Sequence, residues 1–392
     1  MKMVHDHDLE TKSGSETAIL LCTSALQVVG TRAILEYEKN TDQNLQVIII
    51  HPTIGRQAKK LISQVCEELA VGAPIDLTEF SSKLTTLQKC YSRKGVISKF
   101  LRKSEEIKLF RSIVLETQQV LHSKCESITT VFLRRFYTEA ELIFLEAIEG
   151  DIRCQFVEDG DADYLIRFWW LRSGSGYLIR RVLAERSRQF ASIAFNWFQL
   201  GDFASAMRKS MICRYPCSMN YSNSPREGAV ELGNEFLNNI SQLSLPTINL
   251  EEVKVVIAGV LMLHDTFMSL QDEIDFYNRL AEFITKCEKV DAKEIWYKPH
   301  PRLPLAAWSE KQRLLKCSIF RPQQNFLLES FLSSSSISAL YSIGSTSLRY
   351  ASQLFGIRAV LVTPSNNNLH PLLKRYHKLF LSNTPLIEQI KI

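Results

Sequence analysis

The stretch Glu294-Ile295-Trp296-Tyr297-Lys298-Pro299-His300-Pro301-Arg302 decides how this chain is read. Its first half, Glu294–Lys298, holds a short apolar run with the character of a buried strand. Its second half cannot continue a helix or a central ladder, because each proline fixes its own φ and lacks an N–H. A histidine between two prolines therefore sits on a rigid turn just past a strand end. In open α/β sheets that is where ligands bind. An imidazole flanked by Lys298 and Arg302 suits a ligand that carries a phosphate. A plain surface turn would have the same sequence, so the surrounding chain has to decide.

Around this turn the pattern alternates. Val253–Val260 reads as a strand, Gln271–Lys289 as a helix, Ser309–Leu315 as a helix and Ser318–Phe320 as a short strand. Gln324–Leu332 follows as a helix, Ser333–Ser336 as a polar connection, Ile337–Ile343 as a strand, Ser345–Phe355 as a helix and Arg358–Thr363 as a strand. His370–Leu381 is a terminal helix whose Lys374-Arg375-Tyr376-His377-Lys378 cluster reads as a solvated face. The first half alternates in the same way. Ala18–Cys22 and Leu45–His51 are strands, the second continuously apolar through Val47-Ile48-Ile49-Ile50, as buried parallel strands are. Helical patterns cover Gln57–Leu69 and, more loosely, Leu84 to Leu121. Ile128–Leu133 and Arg153–Val157 are strands around a helix at Thr138–Glu149, with Thr138 and Glu141 as its capping box. The fold class is therefore α/β, with doubly wound parallel sheets. Residues 1–17 form a polar tail, 18–245 a first Rossmann-like domain and 246–392 a second, joined at Leu243–Leu250. Tyr164 to about Gln242 is less regular. Two such domains facing each other across a cleft make the GT-B architecture of many nucleotide-sugar glycosyltransferases, an analogy of fold that does not fix function.

Composition narrows the classes. At 392 residues, with about 150 residues per domain as a prior, the chain fills two domains. Basic and acidic residues number 47 and 42, a net charge of +5. That mild excess fits anionic ligands or a membrane surface and, with no recognition motif present, argues against nucleic acid. The nine cysteines show no CxxC pairs or zinc spacing, which implies free thiols in a reducing compartment. No window approaches the roughly 20 apolar residues of a membrane span, and residues 1–17 carry no apolar signal core. The expected place is the cytoplasm, with any membrane contact peripheral and from its inner face.

Two further sites follow strands. Glu158-Asp159-Gly160 comes directly after Arg153–Val157. Adjacent carboxylates repel, which raises one of them toward use as a general base, and Gly160 permits a sharp turn or a close ligand. An acidic solvated loop is the competing reading. Gly344-Ser345-Thr346-Ser347 lies between strand Ile337–Ile343 and the next helix, where free N–H groups and hydroxyls could cradle a phosphate or carboxylate; ordinary capping needs the same residues. Thr23-Ser24-Ala25-Leu26-Gln27, after the first strand, is a cap or a sugar contact. The aromatic and basic stretch Phe168-Trp169-Trp170-Leu171 with Arg167, Arg172, Arg180, Arg181, Arg186 and Arg188 reads as core aromatics with a solvated face.

An acid-acid-Gly motif after a first-domain strand, a His-Pro motif in the second domain and a Ser/Thr pair beyond it resemble the bacterial sialyltransferases, most closely the alpha-2,8-polysialyltransferase and lipooligosaccharide sialyltransferase families. The motifs here are Glu158-Asp159-Gly160, His300-Pro301 and Ser345-Thr346, and the likeness in layout runs from Ala18 to Thr363. The resemblance implies a metal-independent, inverting transfer of sialic acid or a related nonulosonic acid from its CMP donor to a glycan hydroxyl, for capsule or lipooligosaccharide synthesis. No cofactor is implied; the partners are the CMP-sugar donor, on the second domain, and a glycan acceptor, on the first. It makes Glu158 the general base and Asp159 its support, or the reverse, with Gly160 making room. His300 would meet the departing phosphate, and Ser345 and Thr346 would bind that phosphate or the donor carboxylate. Pro301, Lys298 and Arg302 complete the donor side. Other acids before the His-Pro motif, Asp265, Asp272 and Asp275, compete for the role of base. Two rivals remain: a CDP-glycerol-type phosphotransferase of wall polymer synthesis, which pairs His-Pro turns with serine-rich phosphate sites, and a non-catalytic glycan- or nucleotide-binding module.

Overall fold

The structure is a computed structural model. It describes residues 16–40, 43–50, 54–80, 82–83, 109, 112–125, 127–133, 144, 147–148, 152–157, 212–214, 230–260, 268–301, 303–321, 324–335, 337–365, 377, 381 and 386–392. Among the described residues seven strands form the first sheet: β1 (Thr17–Cys22), β2 (Asn44–Ile49), β3 (Ile75–Asp76), β4 (Ile128–Leu133), β5 (Arg153–Val157), β6 (Ile212–Arg214) and β7 (Val230–Glu231). Six form the second: β8 (Val255–Ala258), β9 (Ile295–Lys298), β10 (Ser318–Ile319), β11 (Ala339–Ser342), β12 (Arg358–Thr363) and β13 (Glu388–Lys391). The orders are β3-β2-β1-β4-β5-β6-β7 and β10-β9-β8-β11-β12-β13. All pairings are parallel. Both sheets therefore run outward from their first strand in the doubly wound sense, and each reverses beside it, between β1 and β4 and between β8 and β11. Those reversals open the crevices in which such sheets bind ligands. The expected α/β class with two Rossmann-like halves is the architecture found.

The helices are α1 (Ala25–Tyr37), α2 (Arg56–Glu68), α3 (Gly233–Ser241), α4 (Leu270–Glu288), α5 (Leu305–Leu314), α6 (Leu328–Ser334) and α7 (Ser347–Gln353); residues 112–124 are also helical. Local chemistry sets their ends. Ser269 caps α4, its hydroxyl accepting from the Asp272 N–H at 3.1 Å, and Lys289 closes that helix at φ 55°. α5 begins at Leu305, four residues before the expected start, because Pro304 presets φ just ahead of its first turn. α6 begins later than the expected Gln324. There the chain stays irregular while Asn325 donates to the Gln57 carbonyl of the first half at 2.9 Å. Ser333 and Ser334, expected in a connection, form the last turn of α6 instead. The segment before Gln242 that the sequence left irregular contains β6, β7 and α3.

Each half has its own core, and one core is shared. Leu327 and Tyr350 of the second half join Val28, Phe132, Phe236 and Ile240 of the first. Tyr350 stacks on Phe236 with ring centroids 5.8 Å apart. Offset aromatic pairs of this kind add to what their burial already contributes. Replacing Tyr350 by Ala is expected to cost about 3–5 kcal/mol, the range for a buried aromatic. A lowered urea midpoint would show it, and a midpoint equal to wild type would mean that the halves do not depend on this contact.

Candidate functional site

The last residues of the central strands of the second sheet stand in one row. Lys298 of β9 is in register with Ala258 of β8, and Ala258 with Ser342 of β11. Beyond the row lie the three segments that could hold a ligand. The Gly259 N–H donates to the Lys298 carbonyl at 2.9 Å. A Cβ at position 259 would come within 2.8 Å of Tyr297 Cζ and 3.2 Å of the Lys298 carbonyl oxygen, so only glycine allows this approach. His300 is half-buried, and its carbonyl accepts from the Leu303 N–H at 2.9 Å, closing the turn over Pro301.

β9 is held differently on its two faces, as the alternation of side chains along a strand requires. Tyr297 packs on Tyr277 with centroids 4.7 Å apart, and its hydroxyl accepts from Lys311 Nζ at 2.8 Å. Lys311 in turn pairs with Glu273 at 2.6 Å, both fully buried. Lys298 is 4% exposed, with Nζ 4.7 Å from the Phe326 ring centroid and 6.0 Å from that of Trp308. Its ammonium has no hydrogen-bond partner among the described residues. Burial depresses the lysine to about 8, opposed by the charge of Glu329. Glu329, on α6, is buried too; burial raises its carboxyl, opposed by a hydrogen bond from Ser347 and by Lys298.

Past β11 the chain turns on Ser342. Its buried hydroxyl donates to the Ala258 carbonyl at 2.8 Å and accepts from the N–H groups of Gly344 at 3.3 Å and Ser345 at 3.1 Å. The Ser347 N–H goes to Ser345 Oγ at 3.3 Å. The expected cradle of free backbone N–H groups is therefore corrected: three of them are already spent within the turn, and α7 is shorter than the helix expected over Ser345–Phe355. The hydroxyls of Ser345 and Thr346 remain at the half-buried edge. His377 supports the turn from behind, with Nε2 2.6 Å from the Ile343 carbonyl and Nδ1 3.1 Å from Thr363 Oγ1. Nε2–H thus donates to the carbonyl while Nδ1 accepts, and burial lowers the imidazole below its ordinary value. This overturns the solvated-face reading for His377; the charged residues around it lie outside the described residues.

Of the residues expected at the site, Lys298, His300, Pro301, Ser345 and Thr346 stand at the C-terminal edge of one sheet, His300 and Ser345 on segments leaving strands two places apart. Glu158, Asp159, Gly160, Arg302, Asp265 and the Phe168–Arg188 stretch lie outside the described residues. Asp272 and Asp275 are exposed at the start of α4, where they accept from Ser269 Oγ at 2.7 Å and Gln271 Nε2 at 3.0 Å. In the first half, Thr23-Ser24 form a cap: Gln27 Oε1 accepts from the Thr23 and Ser24 N–H groups at 2.7 and 3.2 Å. Glu329 escaped the sequence reading. Its signal was one carboxylate set among Phe326, Leu327, Leu328, Phe331 and Leu332.

The family model described as Alpha-2,8-polysialyltransferase matches residues 18–363. The chain belongs to the alpha-2,8-polysialyltransferase family. It is a sialyltransferase-like glycosyltransferase, a class that uses a nucleotide-sugar donor and a glycan acceptor. No curated protein sequence matches it. Similar solved structures include a Photobacterium 2,6-sialyltransferase with CMP and lactose, at 12% identity and TM-score 0.48, covering 96% of this chain and 78% of that one. A UDP-N-acetylglucosamine 2-epimerase matches at 10% identity and TM-score 0.46, covering 96% and 83%. The E. coli heptosyltransferase matches at 10% identity and TM-score 0.40, covering 94% and 99%. Likeness at this level assigns no residue a role. No helix among the described residues is long and apolar enough to cross a membrane.

Lys298 makes a testable contribution to stability in this polysialyltransferase-family protein. Its folded value of about 8 lies below that of an unfolded lysine, so above pH 8 the unfolded chain binds more protons than the folded one. Stability from this group therefore rises with pH between about 8 and 10, by up to about 1.4 kcal/mol per pH unit. Thermal unfolding of wild type and Lys298→Met across this window should converge from a gap at low pH. Parallel curves would exclude the effect.

Proposed function

We propose that this protein moves sialic acid, or a related nonulosonic acid, from its CMP donor to a glycan hydroxyl, with inversion and without a metal or cofactor. The family match carries this reading, supported by an imidazole turn and a hydroxyl pair at the C-terminal edge of the second sheet. In it the second half takes the donor and the first half, through residues after β5, takes the acceptor. The chemistry follows from the residue types. The acceptor hydroxyl attacks the anomeric carbon while its proton passes to the Glu158 carboxylate, with Asp159 in support and Gly160 leaving room. The bond to the CMP phosphate breaks as the sugar takes on oxocarbenium character, so negative charge gathers on the phosphate. His300, fixed between Pro299 and Pro301, hydrogen-bonds or protonates that phosphate. Ser345 and Thr346 bind it or the donor carboxylate through their hydroxyls. Lys298 and Arg302 supply positive charge, Lys298 from beneath the surface. Donors held in place before charge develops stabilise it without reorganising.

The reaction belongs to capsule or lipooligosaccharide synthesis on the cytoplasmic side, with the net charge of +5 favouring contact with an anionic membrane face. Incubation with CMP-sialic acid and a glycan panel should release CMP and give a product of inverted anomeric configuration by NMR, unaffected by a chelator. Glu158→Gln and His300→Ala should each lower kcat by about 10²–10⁴-fold, the usual contribution of a proton-transfer group. Absence of CMP release, of transfer and of CMP binding would sink the reading. Turnover of CDP-glycerol instead would replace it with phosphotransfer.

A further inference from the structure

The hydroxyl chain that begins at Ser345 ends on a buried acid. Ser345 Oγ donates to Ser347 Oγ at 3.1 Å, and Ser347 Oγ donates to Glu329 Oε1 at 2.8 Å. The Ser347 N–H occupies one acceptor position of Ser345 at 3.3 Å. Glu329 is 5% exposed, and the charge acting on it is the ammonium of Lys298, buried without a hydrogen-bond partner among the described residues.

A hydroxyl has one proton to give. While Glu329 is a carboxylate it only accepts, so Ser347 donates inward and Ser345 donates to Ser347. Ser345 then presents a lone pair outward, the wrong polarity for an anion. A protonated Glu329 reverses the chain: the acid donates to Ser347, Ser347 donates to Ser345, and the Ser345 proton points out. Charge balance favours the reversal when an anion arrives. Without ligand, the acid whose charge acts on Lys298 is Glu329. With a phosphate at the edge, the ligand compensates Lys298, and the added negative charge disfavours a second anion at Glu329.

We propose that binding of a phosphate-bearing ligand at Ser345 is coupled to uptake of one solvent proton by Glu329, making Glu329 and Lys298 positioning residues that set the direction of the Ser347–Ser345 chain. The proposal rests on the reading of Ser345 as a phosphate contact. The groups presented to Glu329 by its neighbours are Lys298 from β9 and Ser347 from α7. α7 also carries the buried Arg349, and α3, packed on α6, has Glu235 as its titratable side chain.

CMP is the probe. Calorimetric titration in two buffers of different protonation enthalpy gives the protons taken up per CMP bound. Wild type should take up more than Glu329→Gln, whose amide can donate to Ser347 at every pH. Uptake by the imidazole of His300 or by the CMP phosphate is common to both proteins and cancels in the difference; Lys298, which loses the charge of Glu329 in the variant, is excluded as the source by a protonated-carboxyl band in the infrared difference spectrum of wild type with CMP. Wild-type affinity should weaken by up to tenfold per pH unit beyond the corresponding change in Glu329→Gln once Glu329 titrates. Equal uptake and equal pH dependence would overturn the proposal while leaving the transferase reading intact. No CMP binding by wild type would overturn the transferase reading and this proposal with it. Should Glu329→Gln not fold, infrared difference spectra of wild type decide alone: addition of CMP should produce a new protonated-carboxyl band, and its absence would overturn the coupling.

Discussion

The hydrogen bond from the Gly259 amide to the Lys298 carbonyl is the constraint on which the second half's site depends. It ties the first residue past β8 to the last residue of β9, where Pro299 ends any further ladder. The bond forms because position 259 has no side chain, and the space a Cβ would need is filled by Tyr297. Tyr297 is held in turn by Lys311, and the charge of Lys311 is met by Glu273. A buried ion pair gains little net stability over well-packed apolar residues, but loss of either partner leaves a buried charge uncompensated and is costly. The cluster therefore locks one geometry, and His300 leaves the sheet from a fixed point.

The two buried lysines beside β9 make the contrast sharper. Lys311 has a carboxylate at 2.6 Å and a phenol at 2.8 Å. Lys298 has aromatic faces and the more remote influence of Glu329. Cation–π contacts recover part of the cost of desolvation, not all of it. A Met at 298 would pack as well without that cost. The ammonium at the end of β9 therefore carries a desolvation cost that its aromatic neighbours offset only in part.

Strongly apolar runs made most of the fold legible. β2 and β12 could be read because parallel strands covered on both faces are apolar throughout, and the His-Pro turn because proline chemistry is local. β3 and β7, at two residues each, are too short to show a period; their pairing comes from the neighbouring strand, not from their own sequence. His377 was misread because its neighbours in sequence are basic, whereas its burial is set by Ile343 and Thr363, far along the chain. Glu329 was passed over because a lone acid in an apolar helix has no motif. Its meaning comes from Ser347 and Lys298, which only the folded sheet brings near.

The turn after β11 joins these points. Read from sequence, glycine followed by hydroxyl residues before a helix suggested backbone N–H groups waiting for an anion. Ser342 takes two of those N–H groups and Ser345 a third, while the Ser342 proton is committed to Ala258. In place of those three N–H groups the turn offers an anion its side-chain hydroxyls, and a hydroxyl, unlike an amide, can point its proton either way. Direction then becomes a property of whatever the hydroxyl chain ends on. That end is a buried carboxyl on which the charge of Lys298 acts, so the electrostatics beneath the sheet edge and the direction of the hydroxyl chain at its surface are one problem.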